Sequence, residues 1–236
     1  MIVIKIAELL IGIENRYEHI ALQARDYLVD GDPLFVVSVT EEEIDLERAR
    51  TATDRPRGYY ESIVAYRKIA TKLPDYDAFL FHGSVLEYQG KAYIITANSG
   101  VGKTTHTKLW MREFSGEVDI INGDKPIVRL IDGVPYACGT PWQGKENYGK
   151  NAIRPLKGIA FLSRGDENRA SAITPSDAVT RFMKQIYIPK ESASGTVRTM
   201  LLADKVIRGV RLVSLECNME ADAAHVCRAA FTADEA

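Results

Sequence analysis

A chain of 236 residues, 46% hydrophobic and 26% charged with a net charge of −2, can bury a full core as one large domain or as a core with a smaller appendage. It carries no basic excess suited to nucleic acid or an anionic membrane, and no apolar run approaches the roughly 20 residues of a membrane span. Met1 to Ile13 is apolar but includes Lys5 and Glu8 and lacks a small-residue cleavage site, which argues against a signal peptide. Cys138, Cys217 and Cys227 show no metal-ligand spacing, so a cytoplasmic protein with reduced thiols is expected.

Alternation of Ile2, Ile4 and Ile6 predicts a first strand running to about Ile13. Glu14 to Val29 suits a helix with Tyr17, Ile20, Ala21, Ala24 and Leu28 on one face. After the turn cluster Asp30-Gly31-Asp32-Pro33, Leu34 to Val39 reads as a second strand. Thr40 opens the acidic run Glu41-Glu42-Glu43, which favours a helix N-terminus, and a helix is expected over Glu41 to Arg50. A polar link, 51–58, leads to a further helix from Tyr59 to Leu73. This first third carries no chemical motif; it could recognise a substrate or simply cover a sheet edge.

Phe79 to Tyr88 and Lys91 to Ala97 are strand-like runs joined by Gln89-Gly90, a two-residue loop that marks an antiparallel hairpin. The second run feeds directly into Ala97-Asn98-Ser99-Gly100-Val101-Gly102-Lys103-Thr104-Thr105, and Thr105 to Phe114 reads as a helix. That strand–loop–helix order is what a phosphate-binding loop requires. Small residues at 99, 100 and 102 let backbone N–H groups turn toward an anion, and the helix N-terminus adds partial positive charge. Lys103 can reach the outer phosphates of a nucleoside triphosphate, with ATP the expected donor, and the Thr104 hydroxyl can ligate Mg²⁺. Asn98, Ser99, Gly100, Val101, Gly102, Lys103, Thr104 and Thr105 are therefore the expected nucleotide-binding residues.

Val118 to Ile121 is a short strand ending at Asn122-Gly123-Asp124-Lys125-Pro126, where Asp124 is placed to hold Mg²⁺ directly or through water. Ile127 to Ile131 and Val134 to Cys138 flank Asp132-Gly133, a second hairpin signal. The loop Gly139 to Asn147 gathers Trp142, Lys145 and Glu146 within nine residues, more chemistry than a connector needs. Leu156 to Leu162 reads as a strand with 163–169 as its exit. Thr174, Pro175 and Asp177 supply an N-cap, a first-turn proline and a third-position acid for a helix continuing through Val179, Phe182, Met183 and Ile186. A helix over Ser194 to Leu202, a strand over Val210 to Leu215, and a last helix from Met219 to Phe231 capped by Asn218 complete the chain. Lys145, Arg164 and Arg169 could neutralise phosphoryl charge. His82 could be catalytic or a hydrogen-bonded structural histidine, while His106, on the loop helix, reads as structural.

The pair His82-Gly83, the loop 97–105 fed by a hairpin, and Asn122-Gly123-Asp124-Lys125-Pro126 together resemble the HPr kinase/phosphoenolpyruvate carboxykinase-like superfamily. Gly102 to Trp110, Gly139 to Glu146 and Arg164 to Arg169 are similar to a compact bacterial subgroup often described as HPr kinase-related or as a small ATP-type phosphoenolpyruvate carboxykinase. The resemblance implies an α/β fold: a P-loop core like the HPr kinase C-terminal domain over 76–236, with an antiparallel hairpin before the loop, plus a small N-terminal α/β portion over 1–75. It also implies a kinase using ATP and Mg²⁺, with Thr104 and Asp124 on the metal. HPr kinases carry two adjacent aspartates after the loop helix, the first resembling a general base; Gly123-Asp124 offers one. Asp124 itself, His82 or Glu146 is left to supply the base.

Three functions follow from this reading. The first is a phosphotransferase acting on a hydroxyl of a protein or peptide serine or of a small metabolite. The others are carboxykinase chemistry on oxaloacetate, and a non-catalytic nucleotide sensor. Partners are expected to be the nucleotide and the acceptor, not nucleic acid or membrane, with homo-oligomer formation left open.

Overall fold

The computed structural model describes residues 1–51 and 53–233. Residue 52, in the 51–58 link, and residues 234–236, at the end of the expected core portion, lie outside the described residues.

Instead of one strand to Ile13, the N-terminus forms a hairpin, β1 (Ile2–Ile6) and β2 (Leu9–Glu14), with Ile4 opposite Ile11. The turn is Ala7-Glu8, both with positive φ (50° and 60°), so ordinary L-residues occupy the left-handed region that turn chemistry reserves for Gly or Asn. No glycine or asparagine marks the reversal, which is why the run reads as continuous. Helix α1 is short (Glu18–Gln23), followed by a 3₁₀ turn at Arg25–Tyr27, so the helix expected to Val29 stops early. Strand β3 (Phe35–Ser38) lies parallel to β2 and completes a three-stranded sheet. Helix α2 (Glu41–Arg50) begins with Thr40 and Glu43 in a reciprocal capping box, and α3 (Arg57–Lys72) buries Tyr60, Val64, Ala65, Tyr66 and Ile69.

The run 79–88 is broken. Strand β4 (Ala78–Leu80) pairs with a later strand, whereas β5 (Ser84–Tyr88) forms the expected hairpin with β6 (Lys91–Thr96). Gln89 and Gly90 both take positive φ (51° and 73°), as a two-residue antiparallel turn requires. The break at 81–83 takes His82 out of the ladder and turns it toward the site described below.

Helix α4 (Lys103–Glu113) follows the loop, and β7 (Val118–Asn122) returns antiparallel to β5. The hairpin β8 (Ile127–Ile131) and β9 (Val134–Cys138) turns at Asp132-Gly133 as expected. Strand β10 (Ile153–Arg164) joins two parts of the sheet. Its first residues pair antiparallel with β9, and its remainder lies parallel to β6 and, on the other side, to β12 (Arg211–Cys217).

The exit after β10 forms β11 (Arg169–Ala172), a short strand paired with β12 that hydropathy does not signal because its residues are mostly exposed. Helix α5 (Pro175–Met183) starts at the expected cap, Thr174, which forms a reciprocal capping box with Asp177, but ends before Ile186. Helix α6 runs over Ala193–Gly209, much longer than 194–202; Ser192 caps it by accepting from the N–H of Gly195, the residue that weakens the sequence signal. Helix α7 (Asp222–Thr232) starts later than Met219, and Asn218 accepts from Glu220 N–H in a turn ahead of it rather than capping it.

Among the described residues, the chain is thus a mixed α/β protein: the three-stranded sheet and a curled nine-stranded mixed sheet ordered β4-β8-β9-β10-β6-β5-β7, with β12 and β11 continuing from β10. Three apolar clusters pack these layers. One joins the N-terminal sheet and α3 to Ala78, Ile127, Cys138 and Trp142, so it runs through both portions of the chain. The three cysteines are free and buried; burial pushes the Cys138 thiol up to about 12, which makes it a packing group rather than a nucleophile. No helix of the described residues is long and apolar enough to cross a membrane.

His106 is structural, as its sequence context suggested. Its Nε2 accepts from the Trp110 indole at 3.1 Å, and burial lowers its pKa to about 4. The unfolded chain titrates this imidazole near the ordinary value of about 6.5 and therefore binds the extra proton between those two pH values. The associated stability is complete above about pH 6.5 and is lost as pH falls toward about 4, by up to roughly 3 kcal/mol. His106→Gln, which keeps an acceptor for Trp110, should flatten this part of the profile; urea unfolding at about pH 7.5 and about pH 5 measures the difference.

Candidate phosphate-binding site

Strand β6 sits between an antiparallel neighbour, β5, and a parallel one, β10, and its C-terminal end releases the loop 97–102. Gly100 and Gly102 take φ values of 79° and 132°, and a Cβ at either would meet nothing within 4 Å. It is the backbone conformation, not crowding, that demands glycine here. Helix α4 starts at Gly102 with no side-chain cap, which leaves first-turn N–H groups available to an anion beside the positive end of the helix dipole. Asn98, Ser99 and Gly100 are exposed, Val101 to Thr104 half-buried, and Thr105 exposed.

The Lys103 ammonium donates to the Ala97 carbonyl at 3.0 Å, so the side chain folds back over its own loop. Burial lowers its pKa, while the Asp124 carboxylate acts in the opposite direction. Asp124 therefore lies within electrostatic reach of Lys103, and its Oδ1 is also 3.5 Å from His82 Nε2 and 3.6 Å from Lys125 Nζ. Three sequence-predicted residues, Lys103, Asp124 and His82, thus come together although 42 positions separate the outer two.

His82 is held on its other side by a residue that the motif search did not single out. Gln185, just past α5, accepts from the His82 backbone N–H at 2.7 Å and places its Oε1 3.0 Å from His82 Nδ1; its Nε2 lies 3.5 Å from Asn98 Oδ1. With Nδ1 donating to that oxygen, the Nε2 lone pair faces Asp124. Burial first, then Lys125 and Lys103, hold the imidazole pKa below its ordinary value, against Asp124 and Gln185. A neutral imidazole able to accept a proton is the outcome.

Arg164 does not reach into the site as a free cation. Because β10 runs parallel to β6 with Phe161 opposite Thr96, its last residue lies beside the loop, where the guanidinium donates to the carbonyls of Gly100 and Val101. Those carbonyls are engaged from outside, a clamp on loop shape. Arg169 pairs with Glu216 at 2.8 Å. Lys145 and Glu146 are exposed on a turn, and the Glu146 carboxylate is engaged by Lys108 of α4 at 3.3 Å. Of the expected base candidates, His82 and Asp124 are the ones that face each other.

The loop 139–149 closes over the 122–125 turn, and glycines make this possible. A Cβ on Gly123 would lie 2.6 Å from the Gln143 carbonyl, one on Gly144 2.9 Å from Asp124 Cβ, and one on Gly139 2.0 Å from the Lys150 carbonyl. The place where the resemblance expects a first aspartate is therefore filled by backbone of another segment. This gives Gly123-Asp124 a steric reason. No residue larger than glycine fits at 123 while this loop stays in place.

No cluster of three His, Cys, Asp or Glu among the described residues could hold a metal alone. Mg²⁺ is ordinarily held by one or two protein oxygens together with phosphates and water, so Thr104 and a half-exposed Asp124 fit it in kind.

Comparison with known proteins adds little to this geometry. No protein-family model and no curated protein matches the chain. Among solved structures, the Hpr(Ser) kinase/phosphatase from Coxiella burnetii is 8% identical, covers 66% of this chain and 99% of its own length, and has a TM-score of 0.38. A likeness at that score carries no argument about fold or function.

Gly123→Ala should destabilise the protein by about 1–3 kcal/mol by overpacking against the 143 carbonyl, and Gly123→Asp by more. Thermal unfolding of both variants beside the native chain measures it; equal midpoints would mean that the 139–149 loop does not press on this turn.

Proposed function

We propose that the protein is an ATP- and Mg²⁺-dependent phosphotransferase that phosphorylates a hydroxyl, of a protein or peptide serine or of a small metabolite. The observation that carries this reading is the convergence of His82 Nε2 and Asp124 Oδ1, 3.5 Å apart, beside Lys103 and an uncapped α4 N-terminus. The sequence resemblance to HPr kinases points the same way.

The roles follow from the groups. First-turn N–H groups of α4 and the loop backbone would cradle the phosphates, and Lys103 would leave the Ala97 carbonyl to neutralise charge on the outer phosphoryl group. Bound Mg²⁺, held by Thr104 and Asp124, would supply further neutralisation of that charge. His82 Nε2 and Asp124 Oδ1 are both acceptors, so a hydroxyl of the acceptor substrate approaching beside the pair can donate to Nε2. His82 Nε2 takes its proton as the hydroxyl oxygen bonds to the γ-phosphorus and the bond to the β,γ-bridging oxygen breaks, releasing ADP, and the Asp124 carboxylate stabilises the imidazolium so formed. The base missing at position 123 is thus provided from the break between β4 and β5. Gln185 keeps Nδ1 protonated and the ring oriented, while Arg164 holds the outer carbonyls of the loop.

Two other readings make different demands. Carboxykinase chemistry on oxaloacetate needs no hydroxyl base, so it leaves the orientation of His82 unexplained. A nucleotide sensor would bind ATP and transfer nothing.

The protein incubated with γ-labelled ATP and a cell extract, later split into small-molecule and protein fractions, should label one fraction in a Mg²⁺-dependent way. Label in neither would sink the phosphotransferase reading and leave the sensor. His82→Gln should lower transfer by about 10²–10⁴-fold with nucleotide affinity little changed. Lys103→Ala should weaken nucleotide binding itself. A His82→Gln variant with undiminished transfer would show that the base lies elsewhere.

A further inference from the structure

We infer that Tyr66 is a positioning residue for Asp124, through which the N-terminal portion sets the metal affinity of the phosphate site; this rests on the reading of Asp124 as a metal ligand given above. Each backbone polar group of Asp124 and Lys125 has a partner, the N–H groups within the turn and the carbonyls from other segments. The N–H groups of both residues donate to Asn122 Oδ1, at 2.9 and 2.7 Å. The Asp124 carbonyl accepts from Gly83 N–H at 3.0 Å. The Lys125 carbonyl accepts twice, from Thr140 Oγ1 at 2.8 Å and from the Tyr66 hydroxyl at 2.7 Å.

Of these donors only Tyr66 comes from the first third of the chain. Its ring is held by packing as well as by this hydrogen bond: it stacks on Trp142 with centroids 3.8 Å apart and planes 1° from parallel. The Trp142 indole N–H in turn donates to Ser62 Oγ at 2.9 Å, one helical turn before Tyr66 on α3. The stack on Trp142 and the indole bond to Ser62 together present the phenol to Lys125 from a packed platform. The carboxylate on this turn has a half-exposed side chain and derives its direction from the backbone that carries it. Groups that orient a ligand from behind typically control metal affinity by about 10–100-fold.

The test uses the full chain, a non-hydrolysable ATP analogue and Mn²⁺ as the metal, with analogue affinity measured by calorimetry with and without Mn²⁺. Tyr66→Phe keeps the stack and removes one donor. It should cut the Mn²⁺-dependent gain in affinity by about tenfold while metal-free affinity stays within about twofold. Thr140→Ala removes the other side-chain donor to the same carbonyl and should give the same signature, which covers the case in which Tyr66→Phe fails to fold. A full Mn²⁺-dependent gain in Tyr66→Phe, or equal losses with and without metal, would overturn the assignment. Asp124→Asn measured in parallel separates the two levels. If Asp124→Asn abolishes the gain and Tyr66→Phe does not, only the positioning role fails. If Asp124→Asn leaves the gain intact, the metal assignment itself fails, and the positioning role with it.

Discussion

The side-chain amide of Asn122 is buried at the end of β7 with both of its ends in use. Its oxygen accepts the N–H groups of Asp124 and Lys125, and its nitrogen donates to the carbonyl and hydroxyl of Thr140, at 3.2 and 3.0 Å. One residue therefore folds the turn that carries the carboxylate and ties it to the loop that covers it. A buried amide left without these partners would cost about 1–3 kcal/mol per group, so turn and loop hold their arrangement together. The glycines at 123, 139 and 144 are consequences of that closeness, since a methyl group at each would meet backbone or Asp124 at 2.9 Å or less.

The loop 97–102 depends on a different device, the mixed surroundings of β6. A hairpin partner on one side brings β5 and then β7, with the Asp124 turn, to the loop end of the sheet. A parallel partner on the other side brings the end of β10, and with it Arg164, to the same edge. An all-parallel arrangement would need crossover helices to bring either neighbour there. The short antiparallel connections place His82, Lys103 and Asp124 together within fewer than fifty residues of chain.

The first third of the chain has no chemical motif, yet it shares an apolar cluster with Cys138 and Trp142 and reaches the site through Tyr66. Trp142 explains why. An indole buried against Tyr66 and Ser62 anchors the 139–149 loop to α3, and the polar residues that made this loop look functional, Lys145 and Glu146, sit on its exposed turn. What the loop contributes to holding the 122–125 turn lies in its backbone and its tryptophan, the features that a search for charged groups passes over.

Much was legible without coordinates, where the signal is local. Gln89-Gly90 and Asp132-Gly133 specify their hairpins because two-residue turns with positive φ need such residues, Thr174 specifies a helix start because its hydroxyl caps at a fixed spacing, and Glu41-Glu42-Glu43 specifies another through the helix dipole. The loop 97–105 and its lysine are readable for the same reason. The Ala7-Glu8 turn was not, since neither side chain marks the chain reversal; at 81–83 Gly83 is the one local mark, and it does not say that the strand stops or where His82 turns. Gln185 and Tyr66 lie 103 and 59 residues from the groups they hold, and no spacing rule links residues so far apart. The sequence by itself determined the glycine-rich loop, its helix and the acid turn, because each is a short-range requirement of the backbone. Only the tertiary structure decided that His82 rather than Glu146 faces Asp124, and that position 123 has room for nothing beyond glycine, because both depend on which distant segments the sheet brings into contact.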